Sequence, residues 1–466
     1  MTPHTRRWAS AVALGSLIPT MGCGLLLGLD EFTDRPPGAG GGGGEPTECA
    51  SPADCPAGEH GASACDDGAC SFVCDEGFAD CDGTVGCETS IVDNKTNCGG
   101  CGVTCAVSCM SSSCNDPVDI TVAHEHACAA LKDGSVWCWG NNEVGQLGDG
   151  TTENRPQPTK ITLAGPAVAV EAGGGFTPGF YDAHTCAILA DRTAQCWGSN
   201  SNGELGLGST TGTQTPAGLQ LENISQISVA TNHACAININ HDLYCWGANF
   251  QGEVGDGTTT MASSPVHVDA AVAWVSTGQR HTCAAKLDGT FYCWGSNSSG
   301  ALGIGQGAEQ LVPTFVGLPD VVEVSCGHYF TCARNPVGTY CWGSNSSGKL
   351  GLNDENGGDY SSPQAINLPG VAQLNLGKNH AGAVVGEEVY MWGANAHGQL
   401  GTGTAISVPV PTPIGLANAE NVSLGSEFSC ALTSAGPVLC WGQNTSGQLG
   451  DGTMISRSTP APVIWP

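Results

Sequence analysis

The chain has 466 residues, of which 12% are charged, 69 are Gly and 26 are Pro. This profile suits many short strands joined by tight turns and argues against long surface helices. With 14 Lys and Arg against 43 Asp and Glu, the formal net charge is −29, and the basic patch that nucleic-acid binding requires is missing beyond the extreme N-terminus.

At the N-terminus, Arg6 and Arg7 precede an apolar run from Trp8 to Met21. The run is too short for a comfortable membrane span and suits the core of a secretory signal over residues 1–22. It ends in Thr20-Met21-Gly22-Cys23, which resembles a bacterial lipobox. That resemblance implies lipid attachment at Cys23 and, with Gly24 behind it, an exported outer-membrane lipoprotein or cell-surface protein. An ordinary cleaved signal with an incidental Cys is the alternative. Residues 23–46 include "RPPGAGGGGGEP", a Gly/Pro-rich tether with nothing to bury.

Residues 47–116 hold twelve of the 26 cysteines and few large apolar side chains. So small a core needs covalent support, and a cysteine density like this belongs to an oxidising compartment. Cys98-Gly99-Gly100-Cys101 has zinc-ligand spacing, but an even cysteine count in an exported chain favours disulfides. Connectivity is open at this stage.

The rest of the chain is periodic. Trp-Gly recurs at Trp139, Trp197, Trp246, Trp294, Trp342, Trp392 and Trp441, at intervals of 58, 49, 48, 48, 50 and 49 residues. Around each lies one phrase, such as "CWGNNEVGQLGDGT" or "CWGQNTSGQLGDGT". Each unit reads as four short strands: an alternating piece such as "VVEVS", then "HACAAL", an Asp-Gly turn, "VWCWG", and a Pro-led piece such as "TPIGL". Four strands per unit of about 48 residues describe a propeller blade. The predicted fold is all-β, a seven-bladed β-propeller over residues 117–466 preceded by a small disulfide-rich module. Trp and Leu of the phrase are expected to pack neighbouring blades together. Asp119–Val122 is expected to complete the last blade beside Val463–Trp465, closing the ring with both termini.

The pattern Gly-x-x-His-x-x-Ala, Asp-Gly, Tyr/Cys-Trp-Gly-x-Asn-x-x-Gly-Gln-Leu-Gly resembles the regulator of chromosome condensation repeat family, over about three quarters of the chain. The resemblance implies a propeller that binds proteins, or, as in the founding member, guanine-nucleotide exchange on a small GTPase. Export and acidity disfavour exchange, and no insertion matches in length the protruding hairpin that the exchange factor uses. Fold alone assigns no activity.

Cysteines flank the same hairpin in six repeats: Cys128 with Cys138, Cys186 with Cys196, Cys235 with Cys245, Cys283 with Cys293, Cys332 with Cys341, and Cys430 with Cys440. Their spacing about a tight turn places the two side chains opposite each other on one face, within reach of a disulfide. In repeat six Gly382 and Met391 replace both partners together, as pairing requires. Cys326 is left over as a free thiol.

His126, His184, His233, His281 and His380 recur two residues before the first Cys, while Phe330 and Phe428 take that place in two repeats. A metal ring does not tolerate that exchange, so a structural hydrogen bond is the expectation. No metal, cofactor or catalytic residue is assigned. Asn297 and Asn345 lie within the repeated phrase and read as turn residues. Repeat two carries an insertion with Phe176, Phe180 and Tyr181, read as a surface loop and candidate binding element. The expected function is a surface-anchored, non-enzymatic, monomeric propeller that binds a protein or glycan partner. A glycan hydrolase, marked by an acidic pair in a cleft, is the alternative.

Overall fold

The structure, a computed structural model, describes parts of residues 51–110 and, from residue 113 onward, every residue except 178–179, 355–356 and 435. Cys23, the signal and the tether lie outside the described residues. The cysteine-rich module shows short antiparallel hairpins, Gly61–Asp66 with Ala69–Cys74 and Phe78–Ala79 with Thr89–Ser90. Cys98 bonds Cys109 and Cys105 bonds Cys114. The zinc spacing at Cys98 is thus a disulfide site; Cys101 lies outside the described residues.

Seven four-stranded antiparallel sheets follow, running over residues 117–161, 167–218, 224–269, 272–315, 323–366, 371–413 and 419–462. In every sheet spatial order follows chain order. The first strands wall a central channel, and the fourth lie outermost. The Pro-rich fourth strands, such as Val408–Pro413, occupy an outer edge where a missing N–H costs no ladder bond. They begin upstream of the expected "TPIGL" piece, whose Ile414 and Leu416 instead pack against the interior between blades six and seven.

The expected closure by strand exchange does not occur. Pro117–Val122 pairs with His126–Leu131 in its own blade, with Thr121 opposite Cys128, and the last blade is completed by Arg457–Pro462. The three-residue turn Ala123–Glu125 makes the local hairpin the shorter loop to close. The tail still serves the seam, since Val463 and Trp465 pack with Trp139 of blade one.

Blades are joined by the repeated phrase. Each phrase Trp is fully buried against the preceding blade: Trp441 meets Met391 and Leu400, and Trp342 meets the cystine of Cys283 and Cys293 and the phrase Leu, Leu302. Its indole N–H donates to the carbonyl just before that Leu or its Val254 counterpart: Trp197 to Gln146, Trp246 to Glu204, Trp294 to Glu253, Trp342 to Ala301, Trp392 to Lys349 and Trp441 to Gln399, at 2.8–3.0 Å. The glycine after the Leu has to be glycine, because a Cβ on Gly148 would stand 2.6 Å from the Trp197 ring nitrogen. The phrase Asn is a pin: Asn249 Oδ1 accepts the Val254 N–H at 2.9 Å while its amide donates to the carbonyls of Thr258 and Thr260. Asn297 and Asn345 hold their turns in the same way, consistent with the turn reading.

Polar residues in the channel wall have a related task. The first strand of each blade has an edge with unpaired N–H groups, which must find acceptors. Ser228 Oγ accepts from Thr277 N, Ser276 Oγ from Cys326 N and Asn375 Oδ1 from Leu424 N. Across the seam Ser423 Oγ accepts from Val122 N.

All six predicted intra-blade disulfides form. Cys128 bonds Cys138, Cys186 bonds Cys196 and Cys235 bonds Cys245. Cys283 bonds Cys293, Cys332 bonds Cys341 and Cys430 bonds Cys440. In each pair the partners stand directly opposite on the second and third strands, at Cα separations of 4.0–4.1 Å. In blade six Gly382 stands opposite Met391, and the Met side chain fills the volume that a cystine fills elsewhere.

Candidate functional site

The turns between first and second strands gather at one end of the channel. There His124, Thr231, Gln279, His328, Lys378 and Ser426 line a cavity of about 120 Å³, with Gly173, Gly174 and Gly175 in blade two's place. No described Asp or Glu lines this mouth, in a chain of net charge −29. Acidic residues of the same turns are engaged sideways instead. Glu125 accepts from Asn141 Nδ2 and Ser446 Oγ, and Glu427 accepts from Gln399 Nε2 at 2.8 Å. Asp119 and Glu171 lie deeper along the channel.

Cations collect on one side. Lys349, 2% exposed, donates from Nζ to the His328 carbonyl at 3.0 Å and to Asn379 Oδ1 at 3.3 Å. The ammonium also lies 4.9 Å from the Phe330 ring centroid. Burial pushes its pKa down to about 8, with Lys378 adding to the shift and Asp359 opposing it. The His328 imidazole is held down at about 3 by burial and by Lys349, Lys378, His281 and Arg280. His124 is also lowered, mainly by burial, with Lys378 contributing and Glu125 opposing.

Behind the mouth sit the repeated histidines, fully buried. His126, His233, His281 and His380 each place Nε2 2.9 Å from a hydroxyl of the next blade: Thr185, Thr282, Thr331 and Ser429. Each hydroxyl also contacts the carbonyl that receives the Trp indole. A hydroxyl has one proton and a carbonyl has none, so the hydroxyl donates to the carbonyl and the imidazole donates to the hydroxyl. Burial holds His126, His233 and His380 at about 3 and His281 at about 4, neutral throughout the physiological range. The structural reading of these histidines holds.

The pairing follows a rule in the sequence. Where one blade carries His, the residue after the corresponding position in the next blade is Thr or Ser; where it carries Phe, as at Phe330 and Phe428, that residue is Ala381 or Ala127. The exception is His184, which faces blade three's Ala234; neither of its ring nitrogens has a partner among the described residues.

Blade two breaks the symmetry. Its first two strands are Ala167–Thr177 and Phe180–Leu189, 11 and 10 residues long, against six in blade three. The insertion is therefore a hairpin extension and not the expected loop, with Phe176 opposite Tyr181 and Thr177 opposite Phe180. At its base lies buried Asp182, accepting from Asn232 Nδ2 at 2.6 Å and Ser199 Oγ at 3.0 Å. Ser199 Oγ also lies 3.0 Å from Glu204, whose other oxygen accepts the Asn202 N–H at 2.6 Å. Burial, more than the Asp182 charge, pushes Glu204 up to about 7. These acids face each other inside the blade rather than across an open cleft.

Cys326 is free and buried, its thiol pushed up to about 12 by burial. It lies within 4.8 Å of His281 and Cys283 ligand atoms, but Cys283 is bonded to Cys293.

The ring of seven like blades defines the family. A family model for the RCC1-like domain matches residues 179–465, and models of the regulator of chromosome condensation (RCC1) repeat match residues 133–178 and 119–146. The chain belongs to the RCC1-like propeller family. Among curated relatives, the protein RCC2 homolog of Danio rerio is 32% identical over 123 residues, 25% of this chain and 24% of the relative. Human HERC4, a probable E3 ubiquitin-protein ligase, is 36% identical over 93 residues, 19% of this chain and 8% of the relative. The matches thus span a quarter or less of those relatives. Yeast RCC1 (Prp20), solved bound to Kap60, superposes with TM-score 0.64 at 21% identity, covering 75% of this chain and 84% of that one. Human WBSCR16 gives TM-score 0.61 at 20% identity, covering 71% and 90%. These likenesses are of fold.

Proposed function

We propose that this propeller is a non-enzymatic docking module that binds a protein partner through the channel-mouth face. The observation that carries the reading is the blade-two hairpin, which extends an otherwise regular ring at the end where the variable turn residues collect. The extension carries Phe176, Phe180 and Tyr181, and large aromatic side chains are the commonest anchors of protein interfaces. Yeast RCC1, which shares this fold, was solved bound to Kap60, which supports a protein as the class of partner. The mouth holds no carboxylate among its described residues, which favours recognition over acid–base hydrolysis of a glycan. The cysteine pairs, the N-terminal apolar run and Cys23 fit an exported, lipid-anchored protein.

The test is to identify the partner by cross-linking on intact cells, then to measure its affinity with purified full chain. Changing Phe176, Phe180 and Tyr181 together to Ala is expected to weaken binding by at least about tenfold at unchanged melting temperature. Unchanged affinity would move the docking surface off this hairpin.

A further inference from the structure

The channel mouth carries a charge pattern opposite to that of the molecule. Its lining offers His124, Gln279, His328 and Lys378 and no acidic side chain among the described residues, within a chain of net charge −29. Lys378 is half-buried and makes no ion pair within 4 Å with a described residue. Lys378 lines the same cavity as His124 of blade one and His328 of blade five. Beneath it Lys349 is fixed by the His328 carbonyl and Asn379, so a second positive charge backs the same side. Gln279 also lines the mouth, and its side-chain amide carries two N–H donors. The turns' own acids do not pair with Lys378: Glu125 accepts from Asn141 and Ser446, and Glu427 from Gln399.

We propose that this mouth binds a carboxylate presented by an acidic segment of a protein partner, with Lys378 as its principal contact and Gln279 and His328 around it. A cavity of about 120 Å³ admits the end of an Asp or Glu side chain, or a chain terminus. An ammonium without a paired acid, at a partly desolvated site, gains more from an incoming carboxylate than an exposed lysine does. This specifies the partner chemistry of the docking reading and rests on it.

The experiment titrates the full chain with the peptide acetyl-Asp-Glu-Asp-amide and with its neutral counterpart acetyl-Asn-Gln-Asn-amide, following the ring proton signals of His124 and His328. Saturable shifts at both histidines with the acidic peptide alone are expected. Lys378→Met should weaken that binding at least about tenfold, while Lys160→Met, on the outer strand of blade one, should leave it unchanged. Lys378→Gln supplies the same test should the Met variant misfold. The proposal is overturned by absent saturation, by equal binding of the neutral peptide, or by full affinity in both Lys378 variants. Tighter Lys378-dependent binding of inorganic phosphate would likewise overturn the carboxylate assignment. Partner capture that needs the blade-two hairpin but not Lys378 would sink this inference alone and leave the docking reading standing.

Discussion

The indole N–H of Trp139 donates to the carbonyl of Gln448 at 3.0 Å, across 309 residues of chain. This bond shuts the ring, and it is the same contact that joins Trp246 to Glu204 at 2.8 Å between adjacent blades. The seam is thus an ordinary blade interface. Trp139→Ala and Trp246→Ala are expected to destabilise the propeller by similar amounts, about 3–5 kcal/mol each, through loss of buried area and the cavity left behind. Denaturant unfolding checks this. A seam variant costing much less than the internal one would show that the ring closes by other means.

Blade six offers a place for a seventh cystine. Gly382 and Met391 are directly opposed, in the register that holds cystines such as Cys332 with Cys341 and Cys430 with Cys440 in the neighbouring blades. A Cβ on Gly382 alone would stand 2.7 Å from Met391 Sδ, so Gly382→Cys requires Met391→Cys with it. The double variant is expected to form the bond, visible by peptide mapping without reduction. The small loop should contribute about 2 kcal/mol against unfolding, less the packing lost with the Met side chain. Free thiols at both positions would show that blade six differs in backbone register.

His184 is the one repeated histidine without a hydroxyl partner, because Ala234 stands where blades two, four and five have Thr. Ala234→Thr is expected to supply it, with the new hydroxyl donating to the Glu204 carbonyl and accepting from His184. One satisfied buried donor should add about 1 kcal/mol of stability. The reverse change, Thr282→Ala, should cost at least as much by orphaning His233. Thermal unfolding of both variants decides whether the His–hydroxyl pairing stabilises the ring.

Most of the blade was legible because each residue of the Trp-Gly-x-Asn phrase meets the same kind of partner in every repeat. Trp139, Asn142 and Leu147 are fixed by contacts that recur blade after blade, so their spacing carries the fold. The cystines were legible for a related reason: Cys128 and Cys138, or Cys235 and Cys245, flank a turn short enough to fix which residues face each other. The closure was not legible. Asp119–Val122 has the pattern of any first strand, and alternation cannot say which neighbour it pairs with. The His126–Thr185 link was present in the sequence, but only in a comparison of each repeat with the one after it. The mouth was least visible: His124, Gln279, His328 and Lys378 share no residue type, and only the ring brings such separated turns around one cavity. The blade-two insertion was found by length and aromatic content, yet its alternation within extended strands was read as a loop.

Glu204 makes stability depend on pH. Burial raises its folded pKa to about 7, from an ordinary value near 4.5, so the folded chain holds a proton that the unfolded chain has released in that interval. The native state then binds more protons than the unfolded state, and stability falls as pH rises from about 4.5 to about 7. Below that window the stabilising protonation is fully present; above it, the buried carboxylate is charged close to Asp182. Glu204→Gln should remove this contribution, while Glu253, which burial also raises, keeps its own. Blades one, six and seven already carry Gln at this place, where Gln146, Gln399 and Gln448 each accept the backbone N–H two residues earlier. The variant therefore keeps the bond from Asn202 and loses only the charge. It is expected to be more stable than the parent by about 1–3 kcal/mol at pH 8, and nearly equal to it at pH 4.5. Urea unfolding at the two pH values measures the difference. A constant difference between the two would mean that Glu204 is ionised across the range, and that the Ser199 and Asn202 hydrogen bonds outweigh its burial.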